Sequence, residues 1–291
     1  GAGILNGTAW HDADFDDTDF DDSDFDDSDF DDTDLEDDGA DEAATPRTVF
    51  TYDASTHVLT IAATVPGAPG GPGALSHFGL ARKDCLGTAR NTTSKVWYTV
   101  ANGVLSDTYY PTIDNTNVET LQYVVTDGST FTDLQTRDMT YAVRSVNNAG
   151  GMICEVTATA RSGRYRIETE YITDPTRNSV LMRVKFKPRD PGYRLYVRFD
   201  PTVNGNGGGG AGNGGADSAT VDDSTGHPVL VSSDPVTATN AANRDYAQPV
   251  FAALDGSFGE ASSGFVGASS DGLVQLDASY TLTDTYGDAV G

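Results

Sequence analysis

The stretch that constrains the fold most is Ser94–Gly128, which contains three strand patterns separated by turn signals. Lys95–Ala101 alternates apolar and polar residues, as a half-buried strand does. Asn102-Gly103 follows, a pair that tolerates positive φ and favours a two-residue hairpin, and Val104–Tyr110 is the returning strand. A third run, Val118–Thr126, ends at an Asp-Gly turn pair. The stretch therefore predicts three antiparallel strands.

Similar patterns recur along the rest of the chain. Thr48–Tyr52 and His57–Thr64 alternate around a short turn and predict a separate hairpin. No helical period separates the later strand patterns, which are Met139–Val146, Met152–Ala160, Tyr165–Ile172, Ser179–Lys187, Tyr193–Phe199, Val229–Ser232, Pro249–Leu254 and Leu273–Thr283. We predict an all-β chain: a large antiparallel β-sandwich preceded by a β-hairpin and an acidic pentad-repeat arm.

Residues 3–37 form the repeat of this arm, with a period of five. Asp fills most positions, and the apolar residue of successive pentads is Phe15, Phe20, Phe25, Phe30 and Leu35. A step of five turns an α-helix by about 500°, so these residues would form no apolar stripe on a helix, and in a plain strand they would alternate faces. The pattern resembles that of pentapeptide repeats, although seven pentads are too few to bury a core without stacked neighbours.

Three interpretations of the arm remain open. Its charge density is typical of a solvated acidic tail. It could be a weak or intermolecular Ca²⁺-binding strip, because it offers repeated D-x-D-x-D carboxylates but lacks the Gly and the closing Glu of an EF-hand. It could also be an assembly segment that pairs with another subunit through its Phe and Leu residues. The candidate Ca²⁺ ligands are Asp12, Asp14, Asp16, Asp19, Asp21, Asp24 and Asp26.

The charge distribution excludes some partners. The formal net charge is −26, and residues 1–45 hold 19 of the 44 acidic residues and no Lys or Arg. Such a chain should repel nucleic acid and anionic membranes and attract cations or basic partners. No apolar run approaches the length of a membrane span.

A set of short segments points to a known family. In chain order they are Ala68-Pro69-Gly70, Gly87-Thr88-Ala89, Ser94–Thr99, Gly103-Val104-Leu105, Tyr109-Tyr110-Pro111, Leu121-Gln122-Tyr123, Thr173-Asp174-Pro175, Tyr193–Val197, Asp200-Pro201, Ser263–Gly267 and Ser270-Asp271-Gly272. Together they resemble the N-terminal domain of bacterial glucodextranases and glucoamylases, glycoside hydrolase family 15, over about residues 66–291. The resemblance implies a β-sandwich and an extracellular setting. In that family the catalytic part is a separate helical barrel that follows this domain, so no catalytic residue is carried over.

These patterns divide the chain into three parts. Residues 1–45 are the acidic pentapeptide-repeat-like arm, and residues 46–73 are the hairpin and a Pro/Gly linker. Residues 74–291 are the sandwich, which the resemblance leads us to expect to be incomplete at its C-terminal end.

Few residues suggest chemistry of their own. The sequence identifies no pair of carboxyl groups for glycoside hydrolysis and no paired His spacing for a metal. Asn6 and Asn91 begin glycosylation sequons, and Cys85 and Cys154 could pair in an extracellular protein or be two buried thiols. Five aromatic residues could line a sugar-stacking surface or belong to the core, namely Trp97, Tyr98, Tyr109, Tyr110 and Tyr123.

Two functional hypotheses follow. The first is a non-catalytic extracellular module of an α-glucan-hydrolysing enzyme, whose partners would be a catalytic domain absent from this chain and a glycan. The second is a structural subunit of an extracellular fibre or surface assembly, which self-associates by β-strand addition through its N-terminal arm. Neither hypothesis involves nucleic acid, a membrane span or a cofactor other than Ca²⁺ on the arm.

Overall fold

The computed structural model describes residues 2–7, 50–53, 58–61, 67–71, 82–148, 151–205, 217–234 and 250–289. The first ten strands are β1 Ala2–Gly7, β2 Phe50–Asp53, β3 Val58–Ile61, β4 Cys85–Thr88, β5 Trp97–Ala101, β6 Val104–Tyr109, β7 Thr116–Thr126, β8 Thr132–Leu134, β9 Met139–Asn148 and β10 Gly151–Ala160. The remaining strands are β11 Tyr165–Thr173, β12 Val180–Pro188, β13 Arg194–Gly205, β14 Ser218–Asp222, β15 Val229–Asp234, β16 Val250–Leu254, β17 Phe258–Gly264 and β18 Asp288–Ala289. Two helices complete the set, α1 Gln135–Asp138 and α2 Gly272–Ser279.

The strands form one large sheet and three smaller ones. The large sheet has the order β17-β1-β13-β7-β6-β5-β4, with β8 paired to β7. The second sheet has the order β12-β11-β10-β9, the third has the order β16-β15-β14-β18, and β2 pairs with β3. The ladders that join these strands are antiparallel, so the predicted all-β antiparallel sandwich is confirmed. Neither described helix has the length and apolar composition needed to cross a membrane.

The main core lies between the large sheet and the second sheet. Alternation along the strands sends side chains into it, as on β11, where buried and half-buried residues alternate from end to end. Hydrogen bonds also join the sheets across this core: the Tyr98 hydroxyl donates to the Tyr171 carbonyl at 2.7 Å, and the Thr169 hydroxyl donates to the Tyr123 hydroxyl at 3.0 Å. Burial raises the pKa of both Tyr98 and Tyr123 to about 12, so both hydroxyls stay protonated at neutral pH.

A disulfide also connects the two sheets. Cys85 on β4 is bonded to Cys154 on β10, with 5.9 Å between the Cα atoms. Because β4 is an edge strand of the large sheet, this bond fixes that edge to the second sheet.

The predicted turn between β5 and β6 is present. Asn102 and Gly103 have φ values of 53° and 74°, which a type I′ hairpin turn requires. A Cβ at position 103 would lie 2.6 Å from the Cβ of Tyr141, so the close approach of β9 also requires glycine here. The strands of the other predicted hairpin, β2 and β3, pair antiparallel.

One predicted strand, Leu273–Thr283, is wrong, because residues Gly272–Ser279 form helix α2 instead. The Asp271 carboxylate accepts a hydrogen bond from the Leu273 N–H at 2.9 Å, which caps the first turn. The helix ends at Tyr280, whose backbone adopts the left-handed conformation and donates to the Leu276 carbonyl. Capping therefore outweighs the strand-like composition of this segment.

The start of the chain lies in the large sheet. Ala2–Gly7 forms β1, an interior strand of the large sheet, between β13 and β17. Gly3 is the register partner of Phe199 on β13, and Ala2 is that of Gly264 on β17. These residues therefore belong to the sandwich, since they pair with their own chain along both strand edges.

Candidate functional site

The candidate site is the outer face of the large sheet, meaning the face opposite the core. On β13, Leu195, Val197 and Phe199 enter the core, so the intervening Arg198 and Asp200 lie on the outer face. Other polar residues of this face lie on neighbouring strands, at Thr99, Asp107 and Gln122. All five outer-face polar side chains are buried. Buried polar groups need partners, so this face must be held by specific hydrogen bonds.

Arg198 forms the central ion pairs of the outer face. One terminal nitrogen lies 3.0 Å from Asp200 Oδ2, and the other lies 3.2 Å from Asp271 Oδ2. Burial lowers the pKa of Arg198, but the charges of Asp200 and Asp271 outweigh it, so the net shift is upward. Burial raises the pKa of Asp200, and the Arg198 charge offsets only part of that rise.

Asp271 connects Arg198 to helix α2. Besides the ion pair, its carboxylate accepts hydrogen bonds from the backbone N–H of Gly267 at 3.0 Å and of Leu273 at 2.9 Å. One carboxylate therefore fixes a loop, a helix N-terminus and a strand in a single arrangement. Leu276 of the same helix packs on Val124 of β7 and Tyr196 of β13.

Ser270, the residue before Asp271, closes the neighbouring loops. Its hydroxyl donates to the Pro69 carbonyl at 2.6 Å and accepts from the Phe265 N–H at 3.1 Å. A Cβ at Gly264 would lie 2.1 Å from the Ser270 carbonyl oxygen, and one at Gly70 would lie 2.7 Å from the Ala268 Cβ. Residues 69–70, 264–265 and 268–270 therefore meet at one point. Positions 70 and 264 there leave no space for a Cβ, so both require glycine.

A second ion pair lies at the other end of the outer face. The Lys83 ammonium is 2.6 Å from Asp107 Oδ2 and 3.3 Å from the Ser106 hydroxyl. Burial and the Asp107 charge raise the pKa of Tyr109 to about 12. Lys83 therefore supplies a positive charge beside the buried side chain of Asp107.

Two further carboxyl groups have pKa values close to neutrality. Burial and the charge of Asp200 raise the pKa of Glu119 to about 7, although Arg198 opposes the rise. Burial, with contributions from Asp234 and Asp200, raises the pKa of Asp217 to about 8. Both groups can therefore hold a proton at neutral pH, which an ordinary surface carboxyl group does not.

A protein-family model covers the segments that meet at this face. The model, described as glucodextranase, domain N, matches residues 68–291, which include Pro69, Arg198 and Asp271. The chain belongs to this family. The predicted resemblance is therefore confirmed.

Two relatives of this chain are longer proteins that it matches only in part. A glucoamylase from Clostridium sp. (strain G0005) is 38% identical over 143 residues, which are 48% of this chain and 20% of the relative. The crystal structure of a bacterial glucoamylase complexed with acarbose matches with 28% identity and a TM-score of 0.60. That match covers 77% of this chain and 31% of the glucoamylase chain. The chain thus spans less than a third of either relative.

The five aromatic residues considered for sugar stacking do not share one surface. Tyr98 and Tyr123 are buried in the core of the domain. Trp97 is 37% exposed and is the register partner of Tyr109, which is half-buried, as is Tyr110. The Trp97–Tyr109 pair is therefore the part of the predicted set that stays near the surface.

The other predicted site residues fall into two groups. The candidate Ca²⁺ ligands Asp12–Asp26 and the assembly residues Phe15–Leu35 lie outside the described residues, and their roles stay predictions. Asn6 lies within β1, and Asn91 is exposed, with its side-chain amide donating to the Pro175 carbonyl at 2.8 Å. Within the described part of the chain, no three His, Cys, Asp or Glu side chains are grouped to hold a metal ion.

Sequence reasoning did not identify the central ion pairs of the outer face. Arg198 and Asp200 are charged residues in an otherwise apolar strand pattern, and that signal was available. Asp271 belongs to Ser270-Asp271-Gly272, one of the segments that resemble the family. It lies 73 residues after Arg198, so no local sequence pattern indicates their contact.

Proposed function

We propose that this chain is the non-catalytic N-terminal module of an extracellular α-glucan-hydrolysing enzyme of the glucoamylase or glucodextranase type. The observation that carries the proposal is the domain N match over residues 68–291, combined with relatives more than three times as long as the matched part. In this proposal the module is a rigid support for a catalytic domain.

The state of the buried carboxyl groups supports a non-catalytic role. Hydrolysis of a glycoside needs one protonated carboxyl group and a second carboxylate, both able to reach the bond that breaks. Glu119 has the pKa expected of an acid, but its neighbour Asp200 is 6% exposed and paired with Arg198. A glucan chain could not reach a carboxylate in that position.

The disulfide supports the extracellular setting. Bonds such as Cys85–Cys154 persist in oxidising compartments and are rare in the cytosol.

An activity assay tests the proposal. The purified chain should release no glucose from soluble starch, dextran or maltooligosaccharides. Release that persists through purification and is lost in Glu119→Gln, but kept in the control Glu155→Gln, would contradict the non-catalytic assignment. Glu155 is a suitable control because it is on the second sheet, paired with Arg144 at the surface.

An intact-mass measurement on the natural protein tests the other half of the proposal. A mass well above 30.6 kDa, in a secreted protein that hydrolyses α-glucans, is the expected result. A natural mass near 30.6 kDa plus glycans would refute the enzyme-module proposal.

A further inference from the structure

Strand β1 occupies an unusual place in the large sheet. It lies between β13 and β17, yet the chain reaches those strands only at Arg194 and Phe258. It pairs over four positions with β13 and over six with β17. The two neighbouring strands therefore form a slot that one short strand from the start of the chain fills.

Contacts independent of β1 hold the walls of this slot. The Arg198–Asp271 ion pair joins β13 to the loop that follows β17, so it links the two walls through that loop. On β17, the Ser263 N–H donates to the Tyr286 carbonyl at 2.9 Å, and the Ser262 hydroxyl accepts from the Tyr286 N–H at 3.0 Å. The slot can therefore keep its width when the strand leaves.

An empty slot would carry a cost. Each wall would present a row of backbone N–H and C=O groups without partners, and such edges accept another strand readily. The strand pairs with both walls through its backbone ladder, and an identical strand from another molecule satisfies the slot equally well.

The connection between strand and body permits this exchange. Residues 8–49 separate Gly7 from Phe50, and 42 residues of chain can span at most about 140 Å. That reach exceeds the size of a domain of this length, about 20 Å in radius of gyration. The strand of one molecule can therefore reach the slot of a neighbour.

We propose that the slot between β13 and β17 accepts residues 2–7 of a second copy of this chain, so that copies join by exchanging their N-terminal strands. The hydrogen-bond ladder is the same whether the strand comes from the same molecule or from another. The ratio of exchanged to unexchanged molecules therefore depends on the protein concentration relative to the effective concentration of the tethered strand. Exchange between molecules is favoured when chains fold close together. This inference does not depend on the proposed function, and the glucan assays and the exchange experiment can fail separately.

Cysteine pairs across the slot provide the test. Leu5 is the register partner of Ala261 on β17, and directly opposed residues are close enough for a disulfide. A Leu5→Cys chain and an Ala261→Cys chain are unfolded together at acidic pH without reductant, which preserves the native disulfide. They are then refolded together at high concentration, and covalent dimers are counted on a non-reducing gel. Each chain has one added thiol, so a disulfide between positions 5 and 261 has to join two molecules, as strand exchange requires.

The control uses a Leu181→Cys chain in place of the Ala261→Cys chain. Leu181 lies on β12 in the second sheet, and its side chain is 51% exposed. We expect at least tenfold more covalent dimer with the Ala261→Cys partner than with the control. Equal yields, together with efficient closure of the bond within a chain that carries both Leu5→Cys and Ala261→Cys, would refute the exchange. Failure of the double variant to close would refute the slot assignment itself, and the proposal with it.

Discussion

At the scale of single residues, Arg198 controls the stability of the outer face. Its guanidinium contacts Asp200 and Asp271, both of which are nearly inaccessible to water. A buried ion pair is weak evidence for net stabilisation, because removing the charges from water costs about as much as their attraction returns. Removing one partner is different, because the carboxylates that remain keep their desolvation cost without compensation.

Arg198→Met should therefore lower the free energy of unfolding by about 3–5 kcal/mol. The control Arg144→Met removes an exposed pair with Glu155 and should cost at most about 1 kcal/mol. Urea unfolding followed by circular dichroism measures both. Similar losses for the two variants would mean that the Arg198 ion pairs are no more important than a surface pair.

At the scale of elements, helix α2 covers one end of the outer face. Thr126 of β7 donates to the Tyr280 carbonyl at 2.9 Å, and Thr132 of β8 donates to the Leu276 carbonyl at 2.6 Å. Arg137 makes two bonds to Asp277, at 2.8 and 2.9 Å. The helix is therefore attached to the sheet through the Leu276 and Tyr280 carbonyls, and to helix α1 through the Asp277 side chain.

Most strands could be predicted from sequence, because their signal is local. The pattern at Tyr165–Ile172 predicted β11 to within one residue, since buried and half-buried residues alternate along its whole length. Helix α2 could not be predicted in this way. Its apolar residues suit a strand equally well, and the one local signal of a helix start is Asp271, whose Oδ1 accepts a hydrogen bond from the Leu273 N–H.

Val274→Ala tests the helix assignment through the sign of its effect. Val274 is 41% exposed, so little packing is lost, and alanine favours a helix over valine by about 0.5 kcal/mol. We expect a slight rise in the free energy of unfolding.

The matched variant Leu181→Ala, exposed on strand β12, should have the opposite sign, because alanine is disfavoured in strands. Chemical denaturation of both variants alongside the wild type measures the difference. A loss of stability in Val274→Ala would indicate that the segment is not helical.

At the scale of the whole molecule, two sheets with separate hydrogen-bond ladders share one core. Their covalent connection besides the chain itself is Cys85–Cys154, which encloses about 70 residues between β4 and β10. A cross-link of that size reduces the conformational freedom of the unfolded chain substantially.

Replacing both cysteines with alanine should lower the free energy of unfolding by about 4 kcal/mol, from the entropy of a loop of this length. Wild-type protein unfolded with and without reductant provides the control, because reduction should produce the same loss without changing the sequence. A double variant as stable as the oxidised wild type would show that core packing alone holds the sheets together.

The position of β1 also dictates the order in which the molecule can be completed. Its first partner, β13, begins at Arg194, and its second partner, β17, ends at Gly264. During synthesis, residues 2–7 leave the ribosome some 250 residues before the second wall of their slot exists. Contacts of such long range are slow to form, because a long loop must close before any pairing energy is gained. The beginning of the chain therefore lacks its second partner until nearly all of the domain is made, and its pairing with β17 closes this side of the large sheet.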